Sequence, residues 1–269
     1  MIAALVLAVQ VAAAVPQGAP AKAPAAPKAK PIVVIDAGHG GPDKGMSGPL
    51  GRGTKIHEKD ITLAVAKRLG LALIRRGVDV AYTRTTDTLI DLTDRGRIAN
   101  NAGGALFISV HVNAASPSWR DPAGARGFET YFLSDAKTDD ALRVEEMENA
   151  SVRFETVPDL SKEDPLSFIL SDMKQNEHLR ESSELAETIQ HSLAFVHPGP
   201  SRGVKQAGFR VLVTAFMPSV LVEIGFGTNP ADATFLADPS KQDAIARTIA
   251  DAAVSYLRAY EKRLTGSRP

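Results

Sequence analysis

IVVIDAGHGG, Ile32–Gly41, decides the fold. Its first residues, Ile32–Asp36, form a short apolar β-branched run ending in a carboxylate, as expected of a strand buried on both faces. Glycines at Gly38, Gly40, Gly41, Gly45, Gly48, Gly51 and Gly53 then make a long loop. No GK[ST] follows, so this is not a phosphate-binding P-loop. From Asp60 to Arg76 the spacing turns helical, with Ile61, Ala64, Val65, Leu69, Ala72 and Leu73 on one stripe, and Gly77 is a natural terminator. Val78–Thr83 alternates as a strand does, Leu92–Asn101 reads as a short helix, Ala105–Val112 as a buried strand and Gly127–Leu133 as an alternating one. Strands alternating with helices make this an α/β chain with a largely parallel or mixed sheet covered on both faces.

Beyond Leu133 the pattern breaks. Asp135–Asp164 carries ten acidic residues against four basic ones and few strong apolar residues, which predicts an inserted surface helix plus loop. Ser167–Val196 reads as a long amphipathic helix. FRVLV (Phe209–Val213) and SVLVEIGF (Ser219–Phe226) read as the last strands, and Gln242–Leu264 as a closing helix. No internal repeat interrupts the order.

Composition narrows the function. The chain has 269 residues, with Lys plus Arg and Asp plus Glu equal at 31 each, so no global field draws it to nucleic acid or an anionic membrane. It has no cysteine, which excludes disulfides, cysteine-based zinc sites and a thiol nucleophile and leaves histidines and carboxylates as strong metal ligands. Ile2–Ala14 is an almost wholly apolar run, too short for a stable membrane span but suited to the apolar region of a secretory signal, with a cleavage motif at Ala12-x-Ala14. The reading is therefore a signal peptide over 1–14, an extended Ala/Pro-rich linker over 15–31, and one catalytic domain over 32–264 interrupted at about 135–166. The mature protein is expected to be exported.

Four segments carry the chemistry: DAGHGG (Asp36–Gly41), EKD (Glu58–Asp60), SVHVNA (Ser109–Ala114) and VEIGF (Val222–Phe226). They bring His39, Glu58, His111 and Glu223, two imidazoles and two carboxylates. A hydrolytic zinc site needs three protein ligands, often two His and one Glu, and a separate carboxylate that moves protons. Taken singly, His39 and His111 are ordinary loop or core histidines, and Glu58 an ordinary carboxylate at a helix start. Glu223 is different: an ionised carboxylate in an apolar strand costs several kcal/mol unless it is paired or coordinated. In parallel sheets ligands gather at the carboxyl ends of the strands. All four residues belong at that edge if their strands run parallel.

In order, VVIDAGHGG, EKDITLAVA, TRTTD, DRGRIAN, FISVHVNA, GFETYFL and PSVLVEIGFGTNP resemble the zinc-dependent N-acetylmuramoyl-L-alanine amidases of the amidase-3 type, over about Pro31 to Tyr260. The resemblance implies a six-stranded mixed sheet flanked by helices. It implies one Zn2+ per chain on His39, Glu58 and His111, with Glu223 as the catalytic carboxylate. The reaction it implies is hydrolysis of the amide between the lactyl group of muramic acid and L-alanine in peptidoglycan, in the periplasm or cell wall, during wall remodelling or daughter-cell separation. Asp36 and Asn113 are candidates for supporting the site or touching substrate. Some members carry an extra helix whose glutamate blocks the zinc until an activator protein displaces it, and Glu148, in MENAS, stands in the matching place, with Glu145 and Glu146 close by. Two other readings stand beside this one: a zinc peptidase of carboxypeptidase-like fold, although no HExxH is present, and a non-catalytic module that binds cell wall.

Overall fold

A computed structural model of the chain describes residues 30–155, 165–264 and 266. The expected signal peptide and most of the linker lie outside the described residues. The chain opens with β1 (Ile32–Ala37), a two-stranded loop hairpin of β2 (Ser47–Gly48) and β3 (Ile56–His57), then α1 (Glu58–Ile74), β4 (Asp79–Tyr82), α2 (Leu92–Asn101), β5 (Leu106–Asn113) and β6 (Phe128–Leu133). It continues with α3 (Asp139–Asn149), a 3₁₀ turn (Ala150–Phe154), α4 (Pro165–Leu193), β7 (Ser201–Ala207), the short α5 (Arg210–Val213), β8 (Ser219–Phe226), α6 (Pro230–Ala237) and α7 (Pro239–Leu264).

The main sheet has six strands in the order β4-β1-β5-β8-β6-β7. β4, β1, β5 and β8 run parallel, β6 is antiparallel to β8, and β7 runs parallel to β6. The central strands read as continuous apolar runs because both faces are covered. One face packs Val33, Ile35, Ile108, Val110, Val220 and Val222 against α1, α4, α6 and α7. The other packs Val34, Phe107, Tyr131 and Leu221 beneath α2, α3 and α5. Because strand side chains alternate, His111 and Glu223 share this second face with Phe107 and Leu221. Among the described residues, no helix is long and apolar enough to cross a membrane.

Two expectations need correction. FRVLV does not form a strand: Arg210–Val213 is a helical turn that buries Val211 and Leu212 in the second core. The remaining strand is instead SRGVKQA, Ser201–Ala207, at the sheet's edge. An edge strand needs little apolar character, and this one is half-exposed along most of its length, so hydrophobic patterning misses it. The acidic insertion does contain a helix, but α3 is not only a surface element: it buries Ala141, Val144 and Glu148. Thr138 caps it by accepting a hydrogen bond from the Ala141 amide.

Candidate metal centre

The sheet topology brings the sequence-predicted residues to one edge. His39 lies two residues past β1, His111 near the end of β5, and Glu223 beside it on β8, where the two pair in register. Glu58 is the first residue of α1, which starts at the far end of the glycine loop. Into this edge α3 inserts Glu148 from its last turn.

The imidazoles of His39 and His111 and one oxygen each of Glu58 and Glu148 all lie within 4.8 Å of one another, and all four residues are buried. His39 Nε2 is 3.1 Å from Glu58 Oε1 and 3.1 Å from Glu148 Oε2. His111 Nδ1 is 3.1 Å from Glu58 Oε1 and 2.8 Å from Glu148 Oε2. Yet His39 Nε2 and both oxygens of Glu148 have no partner in hydrogen-bond geometry among the described residues. His111 Nδ1 and Glu58 Oε1 do meet in hydrogen-bond geometry, whereas the unpartnered His39 Nε2 and Glu148 oxygens share the space between the four residues without bonding to one another. Donors on a tetrahedral ion with bonds of about 2.0–2.1 Å stand about 3.3 Å apart, and the four separations of 2.8–3.1 Å are close to that figure, so a zinc-sized cation fits among them. The donor set, nitrogen and oxygen without sulfur, suits such an ion.

The glycine loop is shaped around this point. His39 itself adopts a left-handed backbone, φ 60°, a conformation that costs a non-glycine residue of order 1–3 kcal/mol and concentrates at functional sites. A Cβ on Gly45 would stand 2.5 Å from Glu58 Oε2 and 2.6 Å from the His39 ring, and Gly45 has φ +61°. A Cβ on Gly38 would meet the His111 ring at 2.5 Å. Both glycines are therefore required by close approach to the donors.

Each donor is held from behind. Glu58 accepts the Val112 amide on Oε1 and the Met46 amide on Oε2, both at 2.8 Å. His39 Nδ1 meets Asp43 Oδ2 at 2.8 Å, which fixes the ring with Nε2 facing the cluster. Asp36 does not reach the cluster. It lies fully buried, accepting hydrogen bonds from Thr83 and Ser109 and pairing with Arg95 at 2.8 Å. Arg95 also donates to the carbonyls of Ala37 and His39, and Arg84 to those of Ala37 and Gly38, so Asp36 supports the loop through its neighbours. Asn113 is likewise set back, donating to Glu129. Of the two glutamates flanking Glu148, Glu145 turns away to accept the Gly208 amide and Glu146 is exposed. His197 packs between Phe128 and Phe235, away from the cluster.

The charges are strongly coupled. Burial opposes the charged form of His111, but Glu148 and Glu58 outweigh it and push the imidazole up to about 10. Burial likewise opposes Glu58, and the His39 and His111 rings hold its carboxyl far below the usual range. Glu223 goes the other way: burial, then the Glu148 and Glu58 carboxylates, raise it well above an ordinary glutamate. Neither Glu223 oxygen has a hydrogen-bond partner among the described residues. It is an orphaned buried carboxyl able to hold a proton beside the cluster.

Sequence reasoning missed Asp43, Arg84, Arg95 and Glu129. Arg84 and Arg95 stand inside TRTTD and DRGRIAN, but nothing in their spacing ties them to Asp36 or to the loop carbonyls they meet in the fold. Asp43 offered only its spacing of four from His39.

Comparison with known proteins gives one consistent result. The sequence model of a family described as N-acetylmuramoyl-L-alanine amidase matches residues 33–255. The chain is 34% identical over 241 residues to the N-acetylmuramoyl-L-alanine amidase AmiA of Escherichia coli, covering 89% of this chain and 80% of that one. A crystal structure of an N-acetylmuramoyl-L-alanine amidase from Clostridium difficile superposes with a TM-score of 0.62 at 29% identity, covering 85% of this chain and 97% of that one. The CwlD amidase of Clostridioides difficile, solved in complex with the GerS lipoprotein, shares the fold with a TM-score of 0.60 at 23% identity, over 86% of this chain and 100% of that one.

Proposed function

Because the chain belongs to the N-acetylmuramoyl-L-alanine amidase family, it hydrolyses the amide joining muramic acid to L-alanine in peptidoglycan, and we propose that it does so with a single zinc ion on His39, Glu58 and His111 and with Glu223 as the proton carrier. Bound there, Zn2+ would supply Lewis acidity toward the scissile carbonyl and bring a water's pKa to about 7. The protein's own part is orientation and proton transfer. Two backbone amides fix Glu58, and Asp43 fixes His39. Glu223 takes the proton of the attacking water and then delivers it to the alanine nitrogen as the amide opens. The observation that carries this reading is the gathering of two imidazoles and two carboxylates within 4.8 Å of one another, with His39 Nε2 and the Glu148 oxygens unpartnered among the described residues and the orphaned Glu223 carboxyl next to them.

Glu148 adds a fourth protein donor. Closed four-donor sites are structural, whereas catalytic ones keep a position open for water and substrate. We read Glu148 as a plug and α3 as an autoinhibitory element that a partner displaces by shifting its population. The complex of CwlD with a lipoprotein is a precedent for a protein partner on this fold. Removing Glu148 also removes one of the charges that raise Glu223, which leaves more of Glu223 ionised and free to accept a proton as the site opens. A hydrolase held latent and exported through Ile2–Ala14 suits periplasmic wall remodelling at daughter-cell separation.

The test is metal analysis joined to mass spectrometry of products from purified peptidoglycan. The expected result is about one zinc per chain and stem peptides released with free L-alanine amino termini. New ends within the stem peptide would make the chain a peptidase instead.

A further inference from the structure

A second charged group lies along the same sheet edge. Glu129 on β6 is the register partner of Glu223, so the two side chains share a face with Cα atoms about 4.5–5.5 Å apart. Glu129 is fully buried, accepts Asn113 Nδ2 at 2.6 Å and pairs with two cations of β7, Lys205 at 2.6 Å and Arg202 at 3.1 Å. One carboxylate needs one cation. The surplus is neutralised by Asp140 in the first turn of α3, whose Oδ2 lies 2.5 Å from Lys205 Nζ and 3.1 Å from Arg202 Nη2.

Three of these charges, Glu129, Arg202 and Lys205, belong to the sheet; Asp140 arrives with the removable helix. The α3 cation Arg143, which pairs with Asp140 at 3.4 Å and donates to the Ala114 carbonyl and Asn113, would leave with it. What remains beside Glu223 is one fully buried negative charge and two partly buried positive ones. An arginine fork and an ammonium converging on one point form a carboxylate receptor.

We propose that Arg202 and Lys205 anchor a carboxylate of the stem peptide just beyond the cleaved L-alanine, and that Asp140 occupies this anchor in the closed form. α3 then imitates the occupied site at two points, with Glu148 in the metal cluster and Asp140 on the cation pair. This rests on the amidase reading of the cluster and on α3 being displaceable. It makes the pair a determinant of specificity for acidic over amidated stem peptides.

The probes are muramoyl-L-alanyl-D-glutamate and its D-isoglutamine counterpart, with the zinc-loaded full chain carrying Glu148→Ala. The acid is expected to have the lower KM by roughly tenfold or more, as for a charge-assisted hydrogen-bond pair. Lys205→Met and Arg202→Gln should each collapse the kcat/KM ratio between acid and amide toward one, and Lys205→Arg should restore it. If the pair serves only to neutralise Glu129, the variants slow both substrates in parallel with the ratio intact, and the proposal is overturned. Equal KM values in the parent overturn it as well. Should the parent cleave neither probe, the amidase reading fails separately. Titration of L-alanyl-D-glutamate against L-alanyl-D-isoglutamine, followed by NMR, then decides the anchor: tighter binding of the acid supports it and equal binding refutes it.

Discussion

The cluster is built by two regions of different construction. His39, Glu58, His111 and the neighbouring Glu223 hang from the parallel core: three strand ends and the first turn of α1, fixed by buried backbone hydrogen bonds and two close-packed glycines. Glu148 hangs from α3, whose attachments are mostly polar. Asp140 pairs with Lys205 and Arg202, Glu145 accepts the Gly208 amide, and Asn149 exchanges bonds with Gly208 and Arg210. α3 fully buries only two apolar side chains, Ala141 and Val144. Elements held by few apolar contacts and many polar ones open at lower cost than the core. On the proposed function, the difference separates what makes the chemistry from what controls it.

The sharpest way to break that division is at the core side. His111→Ala should strip most of the bound metal and abolish hydrolysis, measured by metal analysis and product release; full zinc content in this variant would remove His111 from the ligand set. Glu223→Gln comes next. It keeps size and fold but cannot accept a proton, so turnover should fall by roughly 10²–10⁴-fold at near-native zinc content. Wild-type turnover would take Glu223 out of the mechanism. Asp43→Asn, which weakens the hold on His39 Nδ1, should lower zinc affinity by about 10–100-fold, read by competition with a chelator of known affinity. On the α3 side the smallest change is Thr138→Ala. Losing the cap costs the helix about 1 kcal/mol, so basal turnover should rise by up to about fivefold with zinc content unchanged. A drop in zinc would show that α3 supports the core cluster and is not an addition to it.

The same division explains what the sequence revealed. The core-side strands were legible because burial on both faces leaves long apolar runs, and Glu223 stood out as a carboxylate where an apolar side chain belongs. Leu92–Asn101 was also readable to its boundaries. SRGVKQA was not, since an edge strand whose Arg202 and Lys205 serve a charge network has no reason to look apolar. FRVLV looked like a strand, yet the chain turns there to seat Val211 and Leu212 under the sheet. The inward face of α3 is short, two apolar residues and one glutamate, too little for periodicity to register. Asp43 and Arg95 act through loop carbonyls and ring nitrogens, contacts that depend on the folded loop and leave no pattern in spacing.

On the proposed function, Glu148 closes a site which the core completes without it. Glu148→Ala in the full chain, assayed on purified peptidoglycan alongside its metal content, tests this most directly. Zinc should be retained at about one per chain and basal turnover raised by at least about tenfold, equivalent to about 1.4 kcal/mol of helix docking. Zinc lost together with activity would make Glu148 an integral ligand, and zinc retained with unchanged turnover would make α3 a passive surface helix.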